Sequence, residues 1–268
     1  FKSGIQQKLK IIISYLQVIT LLSSILNIKY PDFVNNIIDK LGTINLDIFS
    51  MTQRDIKCSI GINFYDTLKL YYLAIPIVIC IVLVSYYLTI LFAKRYNKPR
   101  IFYSKLKNRF IYCLVLLVFL LYPATTENIL KLFKCSEIDD TWYLTADLSI
   151  KCFDSKWNIY AGISGCFIII YVFGIPYIFH WILKKNLKKL HHKRIEYRYG
   201  FLYMGYKDEF WWFETVEMTK KLILMASVIY LQESPTRIMI AMLISFFYLM
   251  YITYHLPLHE THDNILNI

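Results

Sequence analysis

The chain has 268 residues, 57% of them hydrophobic and 17% aromatic, with 18% charged and a formal net charge of +11. A water-solvated domain has about a quarter of its residues charged and fewer of them apolar, so neither a soluble globule nor a disordered polymer fits. The charges cluster between long apolar runs, which is the pattern of a polytopic membrane protein.

A span needs about 20 mostly apolar residues to cross roughly 30 Å of hydrocarbon. Six stretches meet that need in chain order. They lie at about 10–28, 70–92, 110–133, 159–183, 215–231 and 237–256. Lipid cannot satisfy backbone N–H and C=O groups, so each is expected as a helix. Strand-like alternation of a barrel is absent. The expected fold is an all-α polytopic membrane protein, a single transmembrane domain over 1–268. The chain starts with Phe1 rather than Met, so it is expected to be a piece of a longer protein.

The connections set the orientation. Between spans two and three, "KRYNKPRIFYSKLKNR" carries seven Lys/Arg and no acid, and the connection after span four is also strongly basic. Both are expected in the cytosol, as loops 93–109 and 184–214, because Lys and Arg are retained on that side. Anionic lipid headgroups are the partner that such loops imply, and nucleic acid is not. The acid-rich stretch 134–158 and the long stretch 29–69 are then outside, and both ends of the chain are inside. Within 29–69, Phe33, Val34, Ile37, Ile38 and Leu41 have helical spacing before Gly42, which predicts a short amphipathic surface helix.

Three cysteines fall outside: Cys58, Cys135 and Cys152. Outward cysteines meet an oxidising compartment, so one disulfide is expected. Cys135–Cys152 would close a hairpin-like stretch, and Cys58 competes for either partner. Cys80, Cys113 and Cys166 lie within spans and read as small apolar residues. No CxxC, Walker loop, G-x-G-x-x-G or nucleophile motif occurs, so no catalytic residue, cofactor or metal is expected. His255, His259 and His262 lie near Glu260 and Asp263. Pro257 interrupts their helical spacing and "HETH" is not H-E-x-x-H, so they read as interfacial histidines.

Two groups could serve as an ion or gating site. In span three, Glu127 follows Pro123 by one turn, beside Thr125, Thr126 and Asn128. It could line a cavity, or it could pair with Lys131 one turn on. At the mouth of span five, Glu214, Glu217, Lys220 and Lys221 stand against an apolar run. A lysine at the bilayer centre costs at least about 2.5 kcal/mol. A helix starting near 215 would let both lysines reach the headgroups and would put Glu217 beside them. Trp211 and Trp212 read as an aromatic belt, and residues 208–214 as an interfacial lead-in. Gly162, Gly165, Gly174 and Pro176 in span four predict close helix approach and a bend.

Several phrases together resemble one family. They are "KIIISYLQVI" at 10–19, "YPDF" at 30–33, "INLDIFS" at 44–50 and "LLYPATTENILKLFKC" at 120–135. "YLTADLSIKC" at 143–152, "GIPYIF" at 174–179 and "YGFLYMGYKDEFWWFETVEMTKKLIL" at 199–224 continue the series. The chain resembles the C-terminal multi-span region of large cysteine-rich protist surface proteins, the cysteine repeat modular proteins of apicomplexans and ciliates. That resemblance implies a large extracellular ectodomain upstream, a link to surface attachment and regulated secretion, and a layout distantly like TRP channels. It implies no catalytic site. Glu127 departs from the family pattern in the "YP-x-x-T-T" helix.

The expected function is therefore a membrane anchor and signal-transmitting module, acting alone as a homo-oligomer or with other membrane subunits. The alternative is a cation channel without a conventional pore loop, because the link "QESPT" between the last two spans is too short for a filter.

Overall fold

In the computed structural model, residues 10–12, 17, 63–231 and 235–258 are described. Residues 10–12 and 17 are helical. The chain then runs through helices α1 (Phe64–Arg95) and α2 (Arg100–Lys131) and strands β1 (Cys135–Ile138), β2 (Thr141–Leu144) and β3 (Asp147–Lys151). Helices α3 (Ser155–Phe167), α4 (Gly174–Lys185), α5 (Lys193–Tyr203), α6 (Phe213–Tyr230) and α7 (Pro235–His255) follow. Four stretches are long and apolar enough to cross a membrane: Phe64–Arg95, Arg100–Lys131, Ser155–Lys185 and Ile238–His255.

Six spans are thus not what the described residues supply. The first expected span lies outside them apart from its four helical residues, as do the surface helix at 33–42, Cys58, His259, Glu260, His262 and Asp263. The fifth is a helix of 18 residues, about 27 Å at 1.5 Å per residue, but Glu214, Glu217, Lys220 and Lys221 keep it from counting as apolar. The basic loop expected at 93–109 is mostly helix. Pro99 caps α2 in extended conformation, and only four residues separate α1 from α2. Likewise 184–214 contains all of α5.

The expected hairpin-like loop is a three-stranded antiparallel meander in the order β1-β2-β3. Asp139 and Asp140 both have positive φ, 48° and 59°, in the two-residue turn closing Ile138 on Thr141. Such turns match the right-handed strand twist, and Asp tolerates that conformation. Cys135 is bonded to Cys152, which ties the start of β1 to the residue after β3. Leu144, Ile150 and Cys152 face inward onto the main core.

Prolines inside apolar helices create a problem that this fold answers with tyrosines. Pro76 in α1 has no N–H to give the carbonyl of Tyr72, and Pro176 in α4 has none for the carbonyl of Val172. The Tyr171 hydroxyl donates to the Tyr72 carbonyl at 2.8 Å, and the Tyr122 hydroxyl to the Val172 carbonyl at 3.1 Å. Each freed carbonyl is therefore met by a phenol from a neighbouring helix, at a site where lipid could offer nothing. The hydroxyls of Tyr72 and Ser164 also bond, which joins α1 to α3.

A π-helical turn, Ile168–Phe173, joins α3 to α4. The local distortion lies there, just ahead of Gly174 and Pro176. A Cβ on Gly174 would sit 3.2 Å from the Ile169 carbonyl oxygen, so the turn is tight at that point. Gly162 and Gly165 do not mediate close approach: a Cβ on either would meet nothing within 4 Å. Pro123 lies inside α2 without ending it.

The bundle has two distinct ends. At one, the Phe64 N–H at the start of α1 donates to Asp147 of β3 at 3.1 Å. The Trp157 indole there donates to the Leu132 carbonyl at 3.2 Å, and the Tyr230 hydroxyl to the Leu130 carbonyl at 3.1 Å. At the other end, Arg198 of α5 donates from Nε to Asn108 of α2 at 2.8 Å. The Lys207 N–H there donates to the Pro257 carbonyl at 2.8 Å. The basic segments therefore meet at one end, and the acid-rich sheet occupies the other.

Candidate functional site

Glu214, Glu217 and Lys221 are spaced three and four apart, so they share one face of α6. That face is buried, at 2%, 5% and 6% relative exposure. Glu214 stands in the first turn of α6 and is turned inward onto the protein. Its carboxylate forms an ion pair with Lys10, which is itself 4% exposed. Lys10 also donates to the Phe201 carbonyl at 3.1 Å, and its ammonium lies 4.8 Å from the centre of the Tyr206 ring. The Tyr206 hydroxyl donates to Glu214 Oε2 at 2.9 Å. Burial first, and then the Glu214 carboxylate, hold the Tyr206 phenol well above its usual range, so it stays a donor.

One turn along, Glu217 pairs with Lys220 at 2.9 Å and accepts the Tyr248 hydroxyl of α7. The Lys220 ammonium sits 3.5 Å above the Tyr248 ring, a cation–π contact. Lys221 donates to Gln17 Oε1 at 3.0 Å and lies 5.3 Å from the Phe119 ring centre. The expected route for the lysines, stretching to the headgroups, is replaced by partners within the protein. The network ties Lys10, Gln17, α2, α5, the Tyr206 turn and α7 to α6.

Buried charges are costly, and removing one partner of a buried pair typically costs about 3–5 kcal/mol because the other is left stranded. This arrangement is therefore a strong positional constraint on the segments that carry it. Chemically it can hold charge in place and move it with the helices. Among the described residues no His/Cys/Asp/Glu group could hold a metal ion.

Sequence reasoning missed Lys10, Gln17, Phe201, Tyr206 and Tyr248. A signal existed for two of them. Lys10 is the one charged residue and Gln17 the first amide of the apolar run 10–28, and they lie seven apart, hence on one face if the run is helical.

The second group stands apart. Glu127 is 6% exposed and bonds Lys131 at 2.6 Å, one turn on. Asn128 donates back to the Ala124 carbonyl at 2.9 Å. Thr125 and Thr126 are buried, and the Thr125 hydroxyl finds no partner among the described residues. Trp211 and Trp212 are half-buried. Trp211 packs on the main core with its ring centre 5.1 Å from that of His180. His255 packs among Phe210, Tyr251 and Tyr254.

Known proteins give one point of contact. The chain is 28% identical over 151 residues to cysteine repeat modular protein A of Toxoplasma gondii, covering 50% of this chain and 5% of that protein. It is a distant partial homologue of that protein, and it spans only a small part of its length. No protein-family profile matches the chain, and no solved structure matches it.

Proposed function

We propose that this chain is a multi-pass membrane module that holds a large cysteine-rich ectodomain at the cell surface and couples it to the cell interior. The observation that carries the reading is the two-ended charge pattern on an apolar bundle: basic segments gathered at one end, the disulfide-tied acidic sheet at the other. Lys and Arg are retained in the cytosol, so the α1–α2 turn and α5 lie inside and the sheet outside. Two crossings beyond the four apolar helices complete this topology. One lies around 10–28, and the other is α6 with its charges neutralised by the network. Both chain ends are then cytosolic. Coupling runs through Lys10 and Gln17, whose contacts with α6 make the upstream segment and the bundle move together.

The test is topology mapping by cysteine labelling in intact cells. Reporters at Lys98 and Lys189 are expected to be protected together, and one at Asp139 to be labelled. Lys98 and Lys189 on opposite faces would overturn the reading.

A buried Glu127 in a span favours a second reading, a TRP-like cation channel. Its pairing with Lys131 weighs against it. Cation currents in a reconstituted bilayer that vanish in Glu127→Gln would establish the channel, and a silent bilayer would remove it.

A further inference from the structure

The two basic segments, separate in sequence, become one surface in the fold. Residues 94–109 and 184–198 each carry seven Lys/Arg, and Glu196 is the one acid among them. Arg198 meets Asn108, and three residues later Phe201 meets Tyr112, at 6.5 Å between ring centres. Phe201 also meets Phe119, at 5.1 Å. So α5 and the start of α2 run in the same direction here. Counting one turn back along each helix, from Arg198 to Arg194 and from Asn108 to about Lys105, brings these two to a similar level, and Arg109 follows Asn108 in the chain. Lys105, Arg109 and Arg194 are exposed. Arg198 is half-buried and commits its Nε–H to Asn108, whereas a guanidinium has five N–H donors in a planar fork suited to phosphate oxygens.

The level of this cluster selects its ligand. The apolar part of α2 begins near residue 110, so Lys105, and Arg194 at a similar level, stand about 7–8 Å outside the hydrocarbon at 1.5 Å per residue, where headgroup phosphates lie. Exposed apolar side chains interleave with the charges: Tyr96, Ile101, Trp181, Leu187 and Tyr197. Lys185 covers the Trp181 ring at 4.8 Å. A surface that read a free phosphate ion or a nucleic acid would not present these to water, whereas an interfacial surface does.

We propose that Lys105, Arg109, Arg194 and Arg198 form a site for a lipid headgroup bearing more than one phosphate, held between α2 and α5 in the cytosolic leaflet. The proposal rests on the membrane reading above and names a partner for it. Because α5 also carries Phe201, whose carbonyl accepts from Lys10, an occupied site would brace the helix that holds the buried charge network.

The test uses the full chain in nanodiscs of phosphatidylcholine. Short-chain phosphatidylinositol bisphosphate is titrated against phosphatidylserine at matched total charge, with soluble inositol trisphosphate as the headgroup-only probe. The bisphosphate lipid is expected to bind best. Lys105→Gln with Arg194→Gln is expected to weaken it about tenfold or more, on the scale of one favourable contact per basic residue. Lys94→Gln with Lys98→Gln, equal in charge but away from the contact, should change it less than about twofold, as a diffuse surface term would. Equal loss in both pairs, or no preference over phosphatidylserine, would overturn the site. Soluble trisphosphate binding as tightly as the lipid would overturn the lipid assignment. A chain that fails to enter the bilayer sinks the membrane reading as well, whereas one that inserts without this preference sinks only the site.

Discussion

The two ends of this bundle are fastened by opposite means. At the sheet end the covalent and ion-paired ties are short in sequence, Cys135 to Cys152 across 17 positions and Glu127 to Lys131 within one turn, while the long ties there, Phe64 to Asp147 and Tyr230 to Leu130, are hydrogen bonds. At the basic end local ties such as Glu217 to Lys220 are joined by long ones between buried polar side chains: Lys10 to Glu214 and Gln17 to Lys221, with Glu217 to Tyr248 bridging two helices. A local tie stiffens one element and leaves its neighbours free. A long tie fixes the relative position of elements that the chain itself does not connect. Both ends contain a buried carboxylate with a lysine partner, yet the two carboxylates serve different purposes.

Breaking the long ties should have the largest effect. Glu214→Ala strands Lys10 in a buried site and is expected to cost about 3–5 kcal/mol, read as a lowered melting temperature of the detergent-purified chain. Lys10→Ala should cost a similar amount. The double variant should cost less than the sum of the two, because they act on one pair. Additive losses would show that the pair is not coupled and would erase the contrast between the ends. Next comes the disulfide. Cys135→Ser with Cys152→Ser frees a loop of this length at about 3 kcal/mol, and the damage should stay local, seen as faster proteolysis of 134–154 with α5 and α6 still protected.

What was legible beforehand follows the same division. The apolar helices, the basic turns and the Glu127–Lys131 and Glu217–Lys220 pairs could be read from the chain because periodicity and i,i+3 or i,i+4 spacing are local. The third strand could be inferred only weakly, since five residues with one inward Ile150 make little pattern. Lys10 as the partner of Glu214 could not be inferred: nothing at either residue points 204 positions along the chain. The place of Glu214 at the mouth of α6 is legible in the sequence, whereas its burial beside a distant lysine is not. The glycines of α3 misled in the other direction. Small residues invite close packing, but these face open space.

Two smaller experiments sharpen the comparison. Tyr206→Phe removes one donor to Glu214 and leaves the ion pair, so it is expected to cost about 1–3 kcal/mol, the range for a hydrogen bond to a charged group, read by the same melting assay. Glu127→Gln should cost least, about 1 kcal/mol or below, because its partner Lys131 is part-exposed and can turn to water. A loss as large as that of Glu214→Ala would mean that the sheet end also depends on a buried charge.

The tyrosines that answer the prolines bear on how such a sequence can drift. The chain has 23 tyrosines, and wherever the hydroxyl bonds nothing a change to phenylalanine would be chemically quiet. At Tyr122 and Tyr171 it would not be, since each oxygen serves a carbonyl that a proline on another helix has left without its donor. The two members of each pair are thus linked in inheritance: a lineage that loses Pro176 frees Tyr122 to vary, and one that loses Pro76 frees Tyr171.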